Sequence, residues 1–207
     1  MTTERETINL NYNVEKLFSV PIHYLKLNDF EEKRDLLIEY AYNLKDKCGG
    51  RNASNYGGWQ SQPFEICNHD DILHNLLINV ISNIPSFKEN LDVKCDAWVN
   101  INPVGSHNVK HCHPNCDIAG VLWIKIPKNS GDITFISPHD FLSFTEMHSY
   151  NEEFKKKTNY YHNYTYPPQE GVILMFPAHL QHKVDKNESD EDRISVSFNI
   201  KLLNVDC

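Results

Sequence analysis

Two histidines one residue apart, His111 and His113, and a third far downstream, His182, are the residues here whose type and spacing most clearly allow chemistry. Neutral imidazole is the commonest protein metal ligand, and this chain carries 11 histidines against 3 methionines. In an extended segment side chains alternate, so His111 and His113 are expected on one face with Cys112 pointing away. His182 follows the strand-like run Val172–Phe176 and a turn at Pro177, and is the leading third ligand. Three protein ligands on one side of an ion leave positions open for a cosubstrate and O2, as non-haem Fe(II) oxygenases require. A bare His-x-His is also compatible with surface decoration or a hydrogen-bonded pair. A structural zinc site using Cys112 and Cys116 is a further alternative, disfavoured by the same alternation. His107 and His179 could substitute as ligands, but read better as flanking or solvent-facing.

A second constellation follows in Arg193-Ile194-Ser195. Arg193, Ser195, Ser197 and Asn199 share one parity of a predicted strand; Ile194, Val196, Phe198 and Ile200 share the other. A cationic, polar face opposite an apolar one suits a barrel whose interior binds an anion. The guanidinium fork can grip a carboxylate through two parallel hydrogen bonds, and Ser195 can add a third. The competing reading is a surface ion pair of Arg193 with Asp190 or Glu191. Trp98, Asn100 and Trp123 are candidates for the cavity wall, with core packing the alternative for both tryptophans.

These residues need a frame. Asp29–Lys47 reads as a helix, with Leu36, Leu37, Tyr40, Ala41 and Leu44 at three- and four-residue steps, Asn28 or Asp29 as N-cap and Gly49-Gly50 as a stop. A second helix is expected over Asp70–Asn83, closed by Pro85. After Asn90 the period becomes two, with strands over Val93–Asn102, Ile118–Ile126, Asp132–Ile136, Gly171–Phe176 and Arg193–Leu202. Helices first and short strands after predict a mainly β fold with N-terminal helices. The whole chain, 1–207, is expected to be one domain: a helical support over about 1–90 and a β core over about 91–207. Residues 137–168 interrupt the strands with Tyr, His, Asn and Lys, as a lid or a disordered excursion would. Tyr150–Tyr166, with Lys155–Lys157, is the candidate substrate contact, and Gly57-Gly58-Trp59 is either a tight turn or a cover whose plug is Trp59.

The net charge of -8 argues against nucleic acid or an anionic membrane as partner. No apolar run spans a bilayer, and Met1–Leu10 lacks the plan of a signal peptide. A cytoplasmic location follows as the expectation, and with it six free thiols rather than disulfides.

The ordered set resembles the double-stranded β-helix (jelly-roll, cupin-like) of 2-oxoglutarate- and Fe(II)-dependent dioxygenases, and more narrowly a bacterial and phage branch of 2-oxoglutarate-Fe(II) oxygenases. The resemblance rests on Ser54–Ser61, Ala97–Ile101, His111–Asn115 with Ala119-Gly120-Val121, Gly171–Pro177, His182-Lys183-Val184 and Arg193–Asn199, and runs from about residue 17 onward. It implies Fe(II) as metal, 2-oxoglutarate as cosubstrate, O2, and hydroxylation of a small-molecule or peptidyl substrate with release of succinate and CO2. It also implies host cytoplasm if a phage encodes the chain, and is compatible with a homodimer. The wider superfamily pairs His-x-Asp (or Glu) with a distant His, whereas His113 holds the middle position here. That departure keeps two alternatives open: a three-histidine iron dioxygenase that does not use 2-oxoglutarate, and a non-catalytic metal or small-molecule binding barrel. Asp117, of the same parity as His113, is the alternative carboxylate ligand.

Overall fold

The computed structural model describes residues 12–67, 71–88, 91–139 and 144–203. Met1–Leu10, Asp70, Asn90 and Cys207, which figure in the sequence reading, lie outside these. In chain order the elements are β1 (His23–Lys26), α1 (Phe30–Lys47), β2 (Asn55–Tyr56), β3 (Trp59–Gln60), β4 (Phe64–Glu65), α2 (Ile72–Ser82), β5 (Asp92–Asn102) and β6 (His107–His111). There follow β7 (Ile118–Lys125), β8 (Ile133–Ile136), α3 (Phe144–Ser149), α4 (Glu152–Thr158), β9 (Asn163–Tyr166), β10 (Val172–Pro177), β11 (His182–Val184) and β12 (Arg193–Leu203).

Two antiparallel sheets are formed. The seven-stranded sheet runs β1-β10-β7-β12-β5-β3, with β4 also on β5; the five-stranded sheet runs β2-β6-β11-β8-β9. With the order of its connections this is a jelly-roll, the double-stranded β-helix. At its centre β12 pairs along its full length with β5, Arg193 opposite Asn102 and Leu203 opposite Asp92.

The period-two pattern of β5 and β12 sets which side of the large sheet is dry. Cys95, Ala97, Val99 and Ile101 of β5, and Ile194, Val196, Phe198 and Ile200 of β12, are buried against Phe30, Leu37 and Ala41 of α1 and Leu73, Leu77 and Ile81 of α2. Each such large aliphatic or aromatic side chain stabilises the fold by about 1.5–3 kcal/mol. The opposite parity of the same strands is thereby left to face the smaller sheet. Gly120 is required here: it lies opposite Phe198, and a Cβ would fall 2.2–2.7 Å from that ring.

Both scaffold helices lie close to where the periodicity placed them, with two corrections. Asp29 occupies the N-cap of α1, but its carboxylate engages Lys33 instead of a backbone N–H. Leu36 is turned outward, 56% exposed, so the buried stripe is Phe30, Leu37 and Ala41. In α2 the cap is Asp71, which accepts from the His74 N–H (2.9 Å) and holds the His74 ring through Nδ1 (2.6 Å).

The described residues fall into two compact units, one within 21–140 and 162–207, the other within 1–20 and 141–161. The first carries both sheets, α1 and α2. In the second, the Asn151 side chain caps α4 at the Phe154 N–H, Asn159 closes it in the left-handed conformation, and Tyr150 stacks on Phe154 at 4.2 Å. The described part of residues 137–168, expected from composition to be a lid or a disordered excursion, contains α3, α4 and β9; residues 140–143 lie outside the described residues. Among the described residues no helix is long and apolar enough to cross a membrane.

Candidate metal and cosubstrate site

The three histidines singled out by spacing come together between the sheets. One donor atom from each of His111, His113 and His182 lies within 4.8 Å of the others, the one such His/Cys/Asp/Glu group among the described residues. His111 and His182 are direct cross-strand neighbours on β6 and β11, with ring centroids 4.3 Å apart.

Simple alternation does not account for this convergence. The β6–β11 ladder pairs His182 with His111 but Val184 with Asn108, so β6 carries one extra residue between those points. This bulge lets Asn108 and His111, three apart, face inward together, where an unbroken strand would turn one of them out. The expectation that His113 shares a strand face with His111 is also corrected. β6 ends at His111, and His113 lies beyond it, just before the turn at Pro114-Asn115, its N–H donating to Ala178 O at 2.9 Å.

Each ring is held by its Nδ1, which lies 2.7 Å from Val109 O in His111, 2.9 Å from Leu180 O in His182 and 2.6 Å from Asn199 Oδ1 in His113. A carbonyl oxygen can only accept, so Nδ1 donates and Nε2 is left with its lone pair. Such outer partners fix tautomer and ring orientation in metal-binding histidines. Burial, reinforced by the neighbouring rings, pushes His182 down to about 3 and His113 to about 4, and burial lowers His111 as well. All three are neutral at physiological pH, the form a metal takes.

Around the histidines the pocket is lined by Ser54, Trp98, Asn100, Trp123, Ser195 and Arg193, among others, with no Asp or Glu among the described residues. Trp98 stacks on the His113 ring at 5.8 Å, and Asn100 Nδ2 donates to Ser197 Oγ at 3.0 Å. Arg193 is 3% exposed. Its Nη1 donates to Ser130 O and, at 3.2 Å, to Asp185 O, while Nη2 is buried with no partner. Burial lowers the guanidinium to about 10, partly offset by Asp185, so it stays cationic at neutral pH. The surface ion pair with Asp190 or Glu191 is not formed; Glu191 pairs with Lys125 at 2.8 Å. The carbonyls that hold Arg193 belong to two loops packed backbone to backbone on Gly131, which has φ +89° and would place a Cβ 2.4 Å from Asp185 O.

The alternative ligands fall elsewhere. Asp117 accepts from the Leu202 N–H at 2.8 Å; Cys112 is exposed; Cys116 Sγ contacts His113 O. His179 is exposed, and His107 packs against Tyr56 with the rings tilted. Trp59 pairs with Ile101 and packs on the core under α1 and α2 rather than lining the pocket, so it is no plug. Tyr164 and Tyr166 of β9 are not among the lining residues either; Tyr166 meets Phe135 edge-on.

Comparison with known proteins agrees with this frame. The family described as "Putative 2OG-Fe(II) oxygenase" matches residues 96–199, from β5 through Asn199 of β12. The chain belongs to this family. This 2-oxoglutarate-Fe(II) oxygenase matches no curated protein significantly in sequence. Its fold is shared with a prolyl-4-hydroxylase from Pseudomonas putida (TM-score 0.61, 10% identity, 88% of this chain and 93% of that one covered). The epimerase SnoN of nogalamycin biosynthesis is also similar (0.58, 12%, 88% and 79%), as is a Trichoplax adhaerens prolyl hydroxylase solved with a hypoxia inducible factor peptide (0.55, 12%, 86% and 83%). Fe(II) and 2-oxoglutarate are the oxygenase's metal and cosubstrate, and the residues present fit both: three neutral, oriented imidazoles for the ion, and a buried guanidinium nitrogen without a partner for a carboxylate.

Proposed function

We propose that this oxygenase hydroxylates a small-molecule or peptidyl substrate, with His111, His113 and His182 as metal ligands and Arg193 as anchor of the far cosubstrate carboxylate. When bound, Fe(II) with 2-oxoglutarate supplies O2 activation coupled to loss of CO2 and formation of succinate. The chain's own residues supply geometry and charge. Val109 O, Leu180 O and Asn199 Oδ1 hold the three Nε2 lone pairs toward one point. Arg193 lines the same pocket, with its Nη1 held by backbone carbonyls and its Nη2 buried. Ser195, which also lines the pocket, is placed to add a hydroxyl donor. Trp98, Trp123 and Phe176 exclude water around the imidazoles, which strengthens every charge interaction inside. Substrate enters against Trp98 and Asn100 in this reading.

The observation that carries the proposal is the pairing, in one acid-free pocket, of a neutral three-histidine cluster with a buried, half-satisfied guanidinium. Anaerobic titration with Fe(II) and 2-oxoglutarate tests it. A visible charge-transfer band should develop only with both present and be lost in His182→Ala. Iron uptake without any response to 2-oxoglutarate would refute the cosubstrate assignment and favour a three-histidine dioxygenase. Succinate release against a panel of amino acids, peptides and small metabolites then identifies the acceptor.

A further inference from the structure

The three ring partners in this centre are not equivalent. His111 and His182 are each held by a carbonyl two residues earlier in their own segment. His113, which has left the strand, is held by a side chain from another strand, Asn199 of β12 at 2.6 Å. Asn199 shares its parity on β12 with Arg193, Ser195 and Ser197, so one strand face carries both the carboxylate anchor and the support of a ligand. A carboxylate in the same place would orient the ring equally well and add a negative charge. An amide orients it without that charge, in a pocket whose lining contains no acid.

The geometry points to Asn199 as the positioning residue of the metal centre: a neutral acceptor that aims His113 while adding no negative charge of its own before the dianionic cosubstrate arrives. This rests on the metal reading proposed above. The reciprocal coupling by which 2-oxoglutarate and the metal tighten each other is then undiminished by a fixed negative charge at this position. The acceptor role also excludes the flipped amide, because an Nδ2 donating to Nδ1 would force the proton onto Nε2 and remove the lone pair.

Co(II), which keeps its oxidation state in air and has visible d–d bands, is the probe, titrated with and without 2-oxoglutarate. Wild-type protein should bind Co(II) at least about fivefold more tightly with the cosubstrate present. Asn199→Leu should weaken Co(II) by about 10- to 100-fold. Asn199→Asp can only accept once ionised, so it should restore Co(II) binding to wild-type strength or better while weakening 2-oxoglutarate, shrinking the coupling. Asp96 stands opposite Asn199 on β5, so Asp96→Asn is added to the Asp variant to remove like-charge repulsion. Thermal unfolding without metal shows whether each variant folds. Unchanged Co(II) affinity in Asn199→Leu, or Asn199→Asp as weak as Leu, would overturn the assignment while leaving the ligand set intact. Wild-type protein that takes up no Co(II) would overturn the metal reading and this inference with it.

Discussion

Replacing Arg193 by methionine removes the pocket's only Arg or Lys among its lining residues while keeping much of the side-chain volume. In the native pocket Nη2 has no partner among the described residues, so a bound carboxylate would gain a charge-assisted hydrogen bond without displacing one of these. Truncating one partner of a buried, hydrogen-bonded charge pair costs about 2–5 kcal/mol, which is a factor of about 30 to several thousand in affinity. Ligand linkage gives a second readout. At cosubstrate 100 times its Kd, wild-type protein loaded with Co(II) gains about 2.7 kcal/mol, or roughly 5–11 °C in Tm for a domain of this size. With a Kd at least 30-fold weaker, the same concentration yields under about 1 kcal/mol and at most about 3 °C. Co(II) affinity without cosubstrate should change little, because Arg193 touches none of the imidazoles' partners. The assay is the anaerobic absorption titration together with thermal unfolding of the metal-loaded protein. An unchanged Kd and Tm gain in Arg193→Met would refute the carboxylate assignment.

Acid should weaken the metal-free protein. His113 and His182 titrate at about 4 and about 3 when folded against 6.5 when unfolded, so between those values the unfolded chain binds more protons. Stability is full above about pH 6.5 and is lost as pH falls toward 4 and below; from pH 8 to 5.5 each ring costs about 1.4 kcal/mol, which denaturant midpoints at the two pH values would check. Gly131→Ala forces a Cβ into Asp185 O and Lys186 O at positive φ, so it should raise the apparent Kd for 2-oxoglutarate, through the loops that hold Arg193, more than it changes Co(II) affinity. Gly120→Ala drives a methyl into the Phe198 ring and should cost about 1–3 kcal/mol of stability, read by urea unfolding, with metal binding retained.

The long strands and both scaffold helices were legible because their apolar residues recur at the period of the element and meet one continuous core. The histidine trio and Arg193 were legible because side-chain chemistry survives without coordinates. Register was not. Nothing in His107–His111 announces an extra residue on β6, and the inward aim of His111 depends on it. Asn199 was visible as part of a polar face, but its partner lies just before a turn whose position the sequence leaves open; the signal was its parity with Arg193, Ser195 and Ser197. Trp59 and Leu36 show the reverse error. An aromatic beside two glycines suggested a plug and an apolar residue suggested burial, yet tertiary packing put Trp59 against the core and Leu36 in solvent. The two-residue strands β2, β3 and β4 are too short to carry any period.

The extra residue in β6 makes the proposed metal centre sensitive to chain length rather than to side-chain identity. Removing Val109 or Lys110 would keep all three histidines in the chain and let β6 lie flat along β11, yet rotate His111 away from His182. Substitutions at those two exposed positions should be absorbed with little effect, whereas a one-codon deletion there should abolish metal uptake in a protein that still folds. A spacing count, not a ligand motif, is what homologues would have to preserve between Asn108 and His111.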